Sequence, residues 1–368
     1  MGIYIILAVI YAVCAYLIPS SKMSKGTRKG YLFFLLLPLF VLTAFRSIEV
    51  GNDTYNYFRA YNIVASKASL LDAIRNSRLE VGYVTLEFIL SRFGMSYYGF
   101  QIMATIIIYI GLFFFISKYS GDYALSCYVF LTLRMFSGPM NTVRMWLAIS
   151  VLVFAIRYIQ ERKILKFLSL VVLASTFQYS SFIFLLAYIL PNIKKRKYVY
   201  PVVLSSALII RMAGTGFFSW LTDVIGRYQE YLDSVYFNTE GNTAVYYSLA
   251  ISFVFLLYFR NLKLFSKDQN AFDSSANPYI DIWMNFYLLI VAIDIAGLRT
   301  AIMSRVTSYF NISSLAIIPY SINAITYKGN REILKLLIII ALFLQFLIIL
   351  IYRPQWNYIA NYSFFWAK

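Results

Sequence analysis

LKLLIIIALFLQFLIILIY, residues Leu334 to Tyr352, carries one charge and one amide among side chains that are otherwise apolar or aromatic. Coiled as a helix, such a run extends about 28 Å, close to the ~30 Å hydrocarbon core of a bilayer. Ile3 to Ile18, Ile102 to Ile116 and Tyr246 to Phe259 are built alike. The whole chain of 368 residues is 61% hydrophobic and 13% charged, whereas a soluble protein needs about a quarter of its residues charged. Length here therefore counts membrane crossings, and the expected fold is an all-α polytopic membrane protein. It has about 10–12 transmembrane helices, with re-entrant or interfacial helices and a polar cavity on the outer face. Residues 1–368 form a single integral membrane domain in this reading. The first segment lacks a basic lead-in and a small-residue cleavage site, so it reads as a retained span and not a signal peptide. Cys14 and Cys127 fall inside apolar segments and give no firm sign of a disulfide.

Short loops rich in Lys and Arg stay cytoplasmic. The clusters Lys22 to Lys29, Arg162 to Lys166, Lys194 to Lys197, Arg260 to Lys267 and Lys328 to Lys335 mark five such loops. The path that honours them has spans near 2–20, 31–46, 97–117, 122–139, 140–160, 198–213, 244–260, 279–296, 306–326 and 333–352, with both termini outside. Residues 46–80 and 214–243 become outer loops. Between two basic loops lies 167–190, interrupted by Gln178-Tyr179-Ser180-Ser181. Two arms of half a bilayer each suit it better than one crossing, which makes it a re-entrant hairpin with its polar break in a protein-lined cavity.

Along this path lysine gathers inside, while Arg46, Arg59, Arg75, Arg78, Arg134, Arg144, Arg211, Arg227, Arg299, Arg305 and Arg353 lie at or near the outer ends. That outer set runs against the topological bias. Guanidinium groups bind phosphate oxygens in pairs and give up hydration more readily than ammonium. An anionic ligand on the outer face follows, although any single arginine can equally snorkel to headgroups or pair with a carboxylate.

The densest polar stretch, Arg46-Ser47-Ile48-Glu49-Val50-Gly51-Asn52-Asp53-Thr54-Tyr55-Asn56-Tyr57, starts where the second span leaves the membrane. Gly51 suits a turn, and Asn52, Asp53 or Thr54 can cap a following helix, leaving its first amides to face an anion. Farther on come Glu80-Val81-Gly82-Tyr83, then Asn141-Thr142-Val143-Arg144, then Arg299 and Arg305 around a short outer link, with Tyr309-Phe310 behind. The chain has no histidine, no Gly-rich phosphate loop and no CxxC pair, so neither a metal nor a cofactor is expected.

These runs resemble the EpsG family of bacterial exopolysaccharide proteins, related to Wzy-type O-antigen polymerases. The carriers are Arg46 to Tyr57 with its Val-Gly-Asn-Asp-Thr core, Glu80-Val81-Gly82-Tyr83, Lys118-Tyr119-Ser120, Asn141 with Arg144 and Ala148, and Arg305 with Tyr309-Phe310. Each run is short, and the specificity lies in their order and spacing over most of the chain. Where the family pattern looks like a His followed by a Ser, this chain has Gln178 and Ser180. The resemblance implies a membrane glycosyltransferase, with a GT-C-like architecture possible, that polymerises an oligosaccharide repeat carried on undecaprenyl pyrophosphate. It implies the outer, periplasmic leaflet of the bacterial cytoplasmic membrane as the place of work. The bilayer, a flippase and a chain-length regulator are the implied partners; nucleic acid is not among them.

Such a transfer needs positive charge on the departing diphosphate, for which Arg46, Arg144, Arg299 and Arg305 are candidates. It also needs a base near the acceptor hydroxyl, and without histidine the outer carboxylates Asp53 and Glu80 lead. The catalytic set is then Asp53, Glu80, Arg144 and Arg305, with Arg46, Asn52, Thr54, Tyr57, Asn141, Gln178, Arg299 and Tyr309 binding substrate. A flippase for lipid-linked oligosaccharides remains the alternative. It would expose its anion site to both faces and favour arginines deeper in the spans.

Overall fold

A computed structural model describes the chain except for residues 19, 21–22, 193–197, 226–242, 266–276, 298–302, 326, 355, 357–358 and 368. The described chain is helical, and one isolated β-bridge, Arg46 with Phe364, is its only strand-like pairing. In chain order the helices are α1 Gly2–Leu17, α2 Lys25–Ala44, α3 Thr54–Ala65, α4 Leu70–Arg75, α5 Val81–Arg92, α6 Tyr97–Tyr119, α7 Tyr123–Thr132, α8 Gly138–Asn141 and α9 Val143–Gln160. They continue with α10 Ile164–Ser175, α11 Leu185–Ile189, α12 Val199–Ile225, α13 Thr243–Phe265, α14 Ile280–Ala296, α15 Met303–Val306, α16 Ser308–Asn311, α17 Ser314–Asn323 and α18 Lys328–Tyr352. Among the described residues four helices, α2, α6, α9 and α18, are long and apolar enough to cross a membrane. Six shorter apolar helices accompany them.

The outward faces identify the solvent. On α18, Leu336, Leu337, Ile340, Leu344 and Ile348 are exposed, while Lys335 is buried beside Ile339 and Leu342. On α1, Ile3, Ile6, Val9, Ile10 and Val13 point outward, while Tyr4, Ala8, Tyr11 and Ala15 form the packed stripe. A charge inside and leucines outside invert the soluble pattern and fit a lipid surround. This is an all-α polytopic membrane protein.

Two compact units divide the chain, Met1–Phe182 with Leu315–Lys368, and Ile183–Ser314. In the first, α9 packs on α6 and α10, α6 on α2, and α7 on α1 and α18. One end of this unit gathers the basic-loop side. Arg28 Nη2 donates to the carbonyls of Ser120 (3.1 Å) and Gly121 (3.3 Å) and lies over the Tyr123 ring. Lys335 Nζ donates to Asp122 Oδ2 at 2.9 Å and to the Ala15 carbonyl at 2.5 Å. The opposite end carries Arg46. There the Ser47 amide donates to the Ser363 carbonyl (2.9 Å), the Phe365 amide to Phe45 (3.1 Å), and the Met1 amino group to Ala360 (2.9 Å). In the second unit α14 packs against α12 and α13. Asp294 of α14, fully enclosed, accepts the Ser248 hydroxyl at 2.9 Å.

Three expected elements differ in form. The span expected over 122–139 ends as α7 at Thr132, because Arg134 takes a left-handed φ of 60° and a 3-10 turn, Met135–Ser137, leads into Gly138-Pro139. The span expected over 306–326 is split into α16 and α17. Residues expected to open the loop 214–243 are helical to Ile225 after a non-helical Gly214; 226–242 lie outside the described residues. Over 167–190, α10 stops at Ser175 and a 3-10 turn, Tyr179–Phe184, precedes α11.

The Asp122–Lys335 pair gives a test of this packing. Lys335→Met strands a buried carboxylate and should cost on the order of 3 kcal/mol, whereas Asp122→Asn with Lys335→Met should recover most of it. Thermal unfolding in mild detergent measures both; equal losses would show that the pairing contributes nothing.

Candidate active site at the α5, α9 and α10 junction

α10 closes with a tight turn in which the amides of Thr176, Phe177 and Gln178 take the Leu173 and Ala174 carbonyls, and the next carbonyl, that of Thr176, finds its donors on α5. The amides of Gly82 and Tyr83, which its first turn leaves without intrahelical acceptors, both donate to the Thr176 carbonyl, at 2.8 and 3.3 Å. Only glycine permits the approach, since a Cβ on residue 82 would stand 2.3 Å from Thr176 Oγ1. Glu80, at the N-cap position of α5, does not cap its own helix. Its Oε1 accepts the Tyr179 amide at 3.1 Å, and its Oε2 accepts Nη1 of Arg144.

Arg144 stands in the first turn of α9, where no side chain caps the helix. Its side chain is 20% exposed against 5% for Glu80, its Nε has no partner, and its guanidinium lies 6.0 Å from the Tyr57 ring centroid. A guanidinium at a helix N-terminus adds its charge to the positive end of the helix dipole. One carboxylate balances that charge at rest, and the partly open guanidinium is shaped for a further anion.

Beside this pair, the Gly51 turn is tied to the α8 region. Asn141 Oδ1 accepts the Asn52 amide at 2.6 Å, and Asn141 Nδ2 donates to Ser137 at 2.9 Å. Thr54 Oγ1 reaches the carbonyls of Val50 (2.7 Å) and Met140 (3.2 Å). Gly51 has φ +101°, and a Cβ there would fall 2.7 Å from Thr54 Oγ1. Asn141 and Thr54 thus hold the loop, while the Asn52 side chain is exposed. Asp53 occupies the N-cap of α3 without a capping side-chain bond, so the cap expected from Asn52, Asp53 or Thr54 is not made by Asp53.

Arg46 differs from the clamp expected of it. It is 1% exposed, its Nη1 donates to Thr43 (2.6 Å) and its Nη2 to Met140 (3.1 Å), both carbonyls. Gln101 Nε2 in turn donates to the carbonyls of Ala44 and Arg46. Both terminal nitrogens are held by backbone and the group is enclosed, although its Nε has no hydrogen-bond partner, so Arg46 ties the Thr43 and Met140 backbones together in this structure. Gln178 is half-buried in the break beside Tyr179. Arg305 and Tyr309 belong to the second unit, Arg305 half-buried at the end of α15 and Tyr309 buried in α16. Phe310 there stacks on Phe184 at 5.8 Å and meets Phe286 edge-on at 5.3 Å. Arg299 lies outside the described residues.

The sequence reading missed Glu87. It lies on the buried face of α5 two turns beyond Glu80, with no exposure. The available signal was a carboxylate inside the apolar run Val81 to Leu90. Burial pushes its pKa up to about 8, against the opposing pulls of Tyr83 and Arg144. The unfolded chain ionises this group near pH ~4.3. The fold keeps its proton longer, so folding stability should fall as pH rises from about 5 to 8, by up to ~1.4 kcal/mol per pH unit. Glu87→Gln should flatten that slope in detergent unfolding; an unchanged slope would mean that Glu87 ionises normally. Gly82→Ala, which overpacks the junction, should cost about 1–3 kcal/mol in the same assay.

No curated protein and no solved structure matches the chain. The model of the EpsG family matches residues 29–364, an interval that contains the Gly51 turn, the Glu80–Arg144 pair and the Arg305 segment. The chain belongs to the EpsG family, a family of Wzy-like polymerases.

Proposed function

We propose that this protein polymerises a polysaccharide by moving a growing glycan from undecaprenyl pyrophosphate to a hydroxyl of the next lipid-linked repeat, at the outer leaflet of the bacterial cytoplasmic membrane. The observation that carries the reading is the Glu80–Arg144 pair at the N-terminus of α9. Family membership supports the polymerase class, and the site chemistry supports the carrier.

A diphosphate brings more negative charge to Arg144 than one carboxylate does, so it competes for the guanidinium and loosens Glu80. Arg144 then holds the leaving group, and Glu80, still oriented by the Tyr179 amide, faces the acceptor. The acceptor oxygen bonds to the anomeric carbon as that carbon's bond to the diphosphate oxygen breaks. The electron pair departs with the diphosphate, and the hydroxyl proton passes to Glu80. Positive charge placed where negative charge develops is the main source of rate in such a step. Asp53, at the start of α3, is the other candidate base, and Arg305 the candidate second cation.

The test is product length, with purified protein in lipid, a lipid-linked repeat unit and EDTA present. Wild type should give a ladder of lengthened glycans, and Arg144→Ala should slow it by about 10²–10³-fold. Glu80→Gln and Asp53→Asn are compared in the same assay; the larger loss marks the base, with ~10²–10⁴-fold expected for Glu80. Transfer of labelled lipid across the bilayer without a ladder would replace the polymerase with the flippase.

A further inference from the structure

Lys118, singled out in the sequence with Tyr119 and Ser120, takes no part in the transfer just described. It lies in the last turn of α6, at the end of the first unit where the carbonyls of Ser120 and Gly121 accept Arg28. Its ammonium is 5.2 Å from the ring centroids of both Phe114 and Tyr119, and Phe114 stacks at 4.2 Å on Phe154 of α9. Tyr158 follows Phe154 by one helical turn. Arg157, in the last turn of α9, sits 4.4 Å over the Tyr158 ring and donates to the Tyr158 hydroxyl at 2.7 Å, while Lys166 of α10 stands 5.9 Å from the same ring. Three helices thus bring cations to two aromatic groups joined by the Phe114–Phe154 stack.

The turn between α9 and α10 adds to the charge. The Lys163 amide donates back to the Tyr158 carbonyl at 2.9 Å and the Arg162 amide to Ile159 at 3.3 Å, a helix-closing motif whose left-handed position favours glycine and here holds Arg162, with φ 54°. Lys163 stands at the N-cap position of α10 without a capping side-chain bond, and no acid occupies that helix's first turn. Positive charge at this end suits the orientation of the chain, and Lys118 and Arg157 also suit the negative ends of α6 and α9. Neither reason covers the start of α10, where bases meet the positive end of a helix dipole. The one carboxylate of the cluster, Glu161, is taken by the Lys163 ammonium at 2.8 Å. Among the described residues, Lys118, Arg157, Arg162 and Lys166 pair with no carboxylate, and all four are exposed.

We propose that the ends of α6 and α9 and the start of α10 form a binding site for cardiolipin, the anionic phospholipid that carries two phosphodiesters on one glycerol. The cations without a carboxylate fall into two groups, Lys118 on its aromatic pair and Arg157 with Lys166 about Tyr158, and Arg162 lies in the turn between α9 and α10. Each group suits one phosphate, to which guanidinium and ammonium donate charge-assisted hydrogen bonds. The acyl chains have a surface as well. Leu165, Leu168 and Val172 are exposed along one face of α10, while Phe167, Val171 and Ala174 pack inward. A headgroup at the first turn of α10 lays its chains on that stripe, whereas an acidic protein would use the charges and leave the apolar face beside them uncovered. α9 and α10 run from this end to Arg144 and to the Thr176 carbonyl, so an occupied site braces both helices of the candidate active-site junction. The lipid site itself stands without the transfer reaction.

Native mass spectrometry of the full chain released from nanodiscs, with thermal unfolding in detergent beside it, compares tetraoleoyl cardiolipin with dioleoyl phosphatidylglycerol at equal total charge. Wild type should retain cardiolipin in preference and unfold at a higher temperature when it is added. Lys118→Gln combined with Arg157→Gln and Lys166→Gln should weaken cardiolipin binding by at least about tenfold and abolish the thermal shift. Lys166→Gln alone, at an exposed helix position, keeps the test decisive if the combined variant does not fold, with about fivefold weakening expected. Lys25→Gln with Lys29→Gln removes exposed bases of α2 and should leave binding unchanged. Equal weakening by the α2 changes would reduce the site to diffuse surface charge, and equal retention of phosphatidylglycerol would remove the two-phosphate site. Retention of neither lipid, or binding that the Lys118, Arg157 and Lys166 changes do not touch, would overturn the proposal outright.

Discussion

A helix end leaves backbone groups that need partners, and the candidate site exists because this chain supplies them from its own backbone. The Thr176 carbonyl at the end of α10 is taken by the first amides of α5, and the Tyr179 amide beyond the break is taken by Glu80. One exchange joins the end of α10 to the start of α5. It also fixes α5 in depth and rotation, so that Glu80 meets Arg144 and the face carrying Tyr83 and Glu87 turns inward. Gly82 is the condition for this contact, because its missing side chain is what lets two backbones approach.

The helical character and the two ends of the first unit were legible in the sequence, since both follow from simple physics. Apolar runs such as Leu334 to Tyr352 have one way to satisfy their backbone in lipid, and charge bias separates the ends. Arg28, Asp122 and Lys335 meet at one end, while Arg46, Asn141 and Arg144 sit toward the other. What escaped was local. A hydropathy window averages over Arg134, whose left-handed backbone stops α7 ten residues after it starts. No side-chain pattern announces that Arg46 will spend itself on the carbonyls of Thr43 and Met140, because carbonyls are present at every position. Of the residues singled out in advance, Glu80 and Arg144 are in direct contact, and Asn52, Thr54 and Asn141 build the adjoining turn. Glu87 escaped because it was counted within an apolar segment instead of being weighed as the carboxylate that such a segment should not contain.

Two buried ion pairs in the same unit show why composition alone does not identify a site. At Asp122 and Lys335 both side chains are below 10% exposed. The ammonium also reaches the Ala15 carbonyl, and the other carboxylate oxygen caps α7 through the Leu125 amide at 3.2 Å. Both carboxylate oxygens are taken and the ammonium is enclosed among its acceptors, so the pair behaves as a lock between α7, α18 and α1. At Glu80 and Arg144 the carboxylate is filled on both oxygens, but the guanidinium is not: it is more exposed, its Nε is unpartnered, and it stands at the positive end of α9. Desolvation has already been met for the cation, while its capacity for anionic oxygen has not. Under the proposed transfer, an arriving diphosphate would meet a preorganised positive group and displace its carboxylate partner. That difference in saturation, not the chemistry of the paired residues, separates the pair that holds the fold from the pair proposed to act on a substrate.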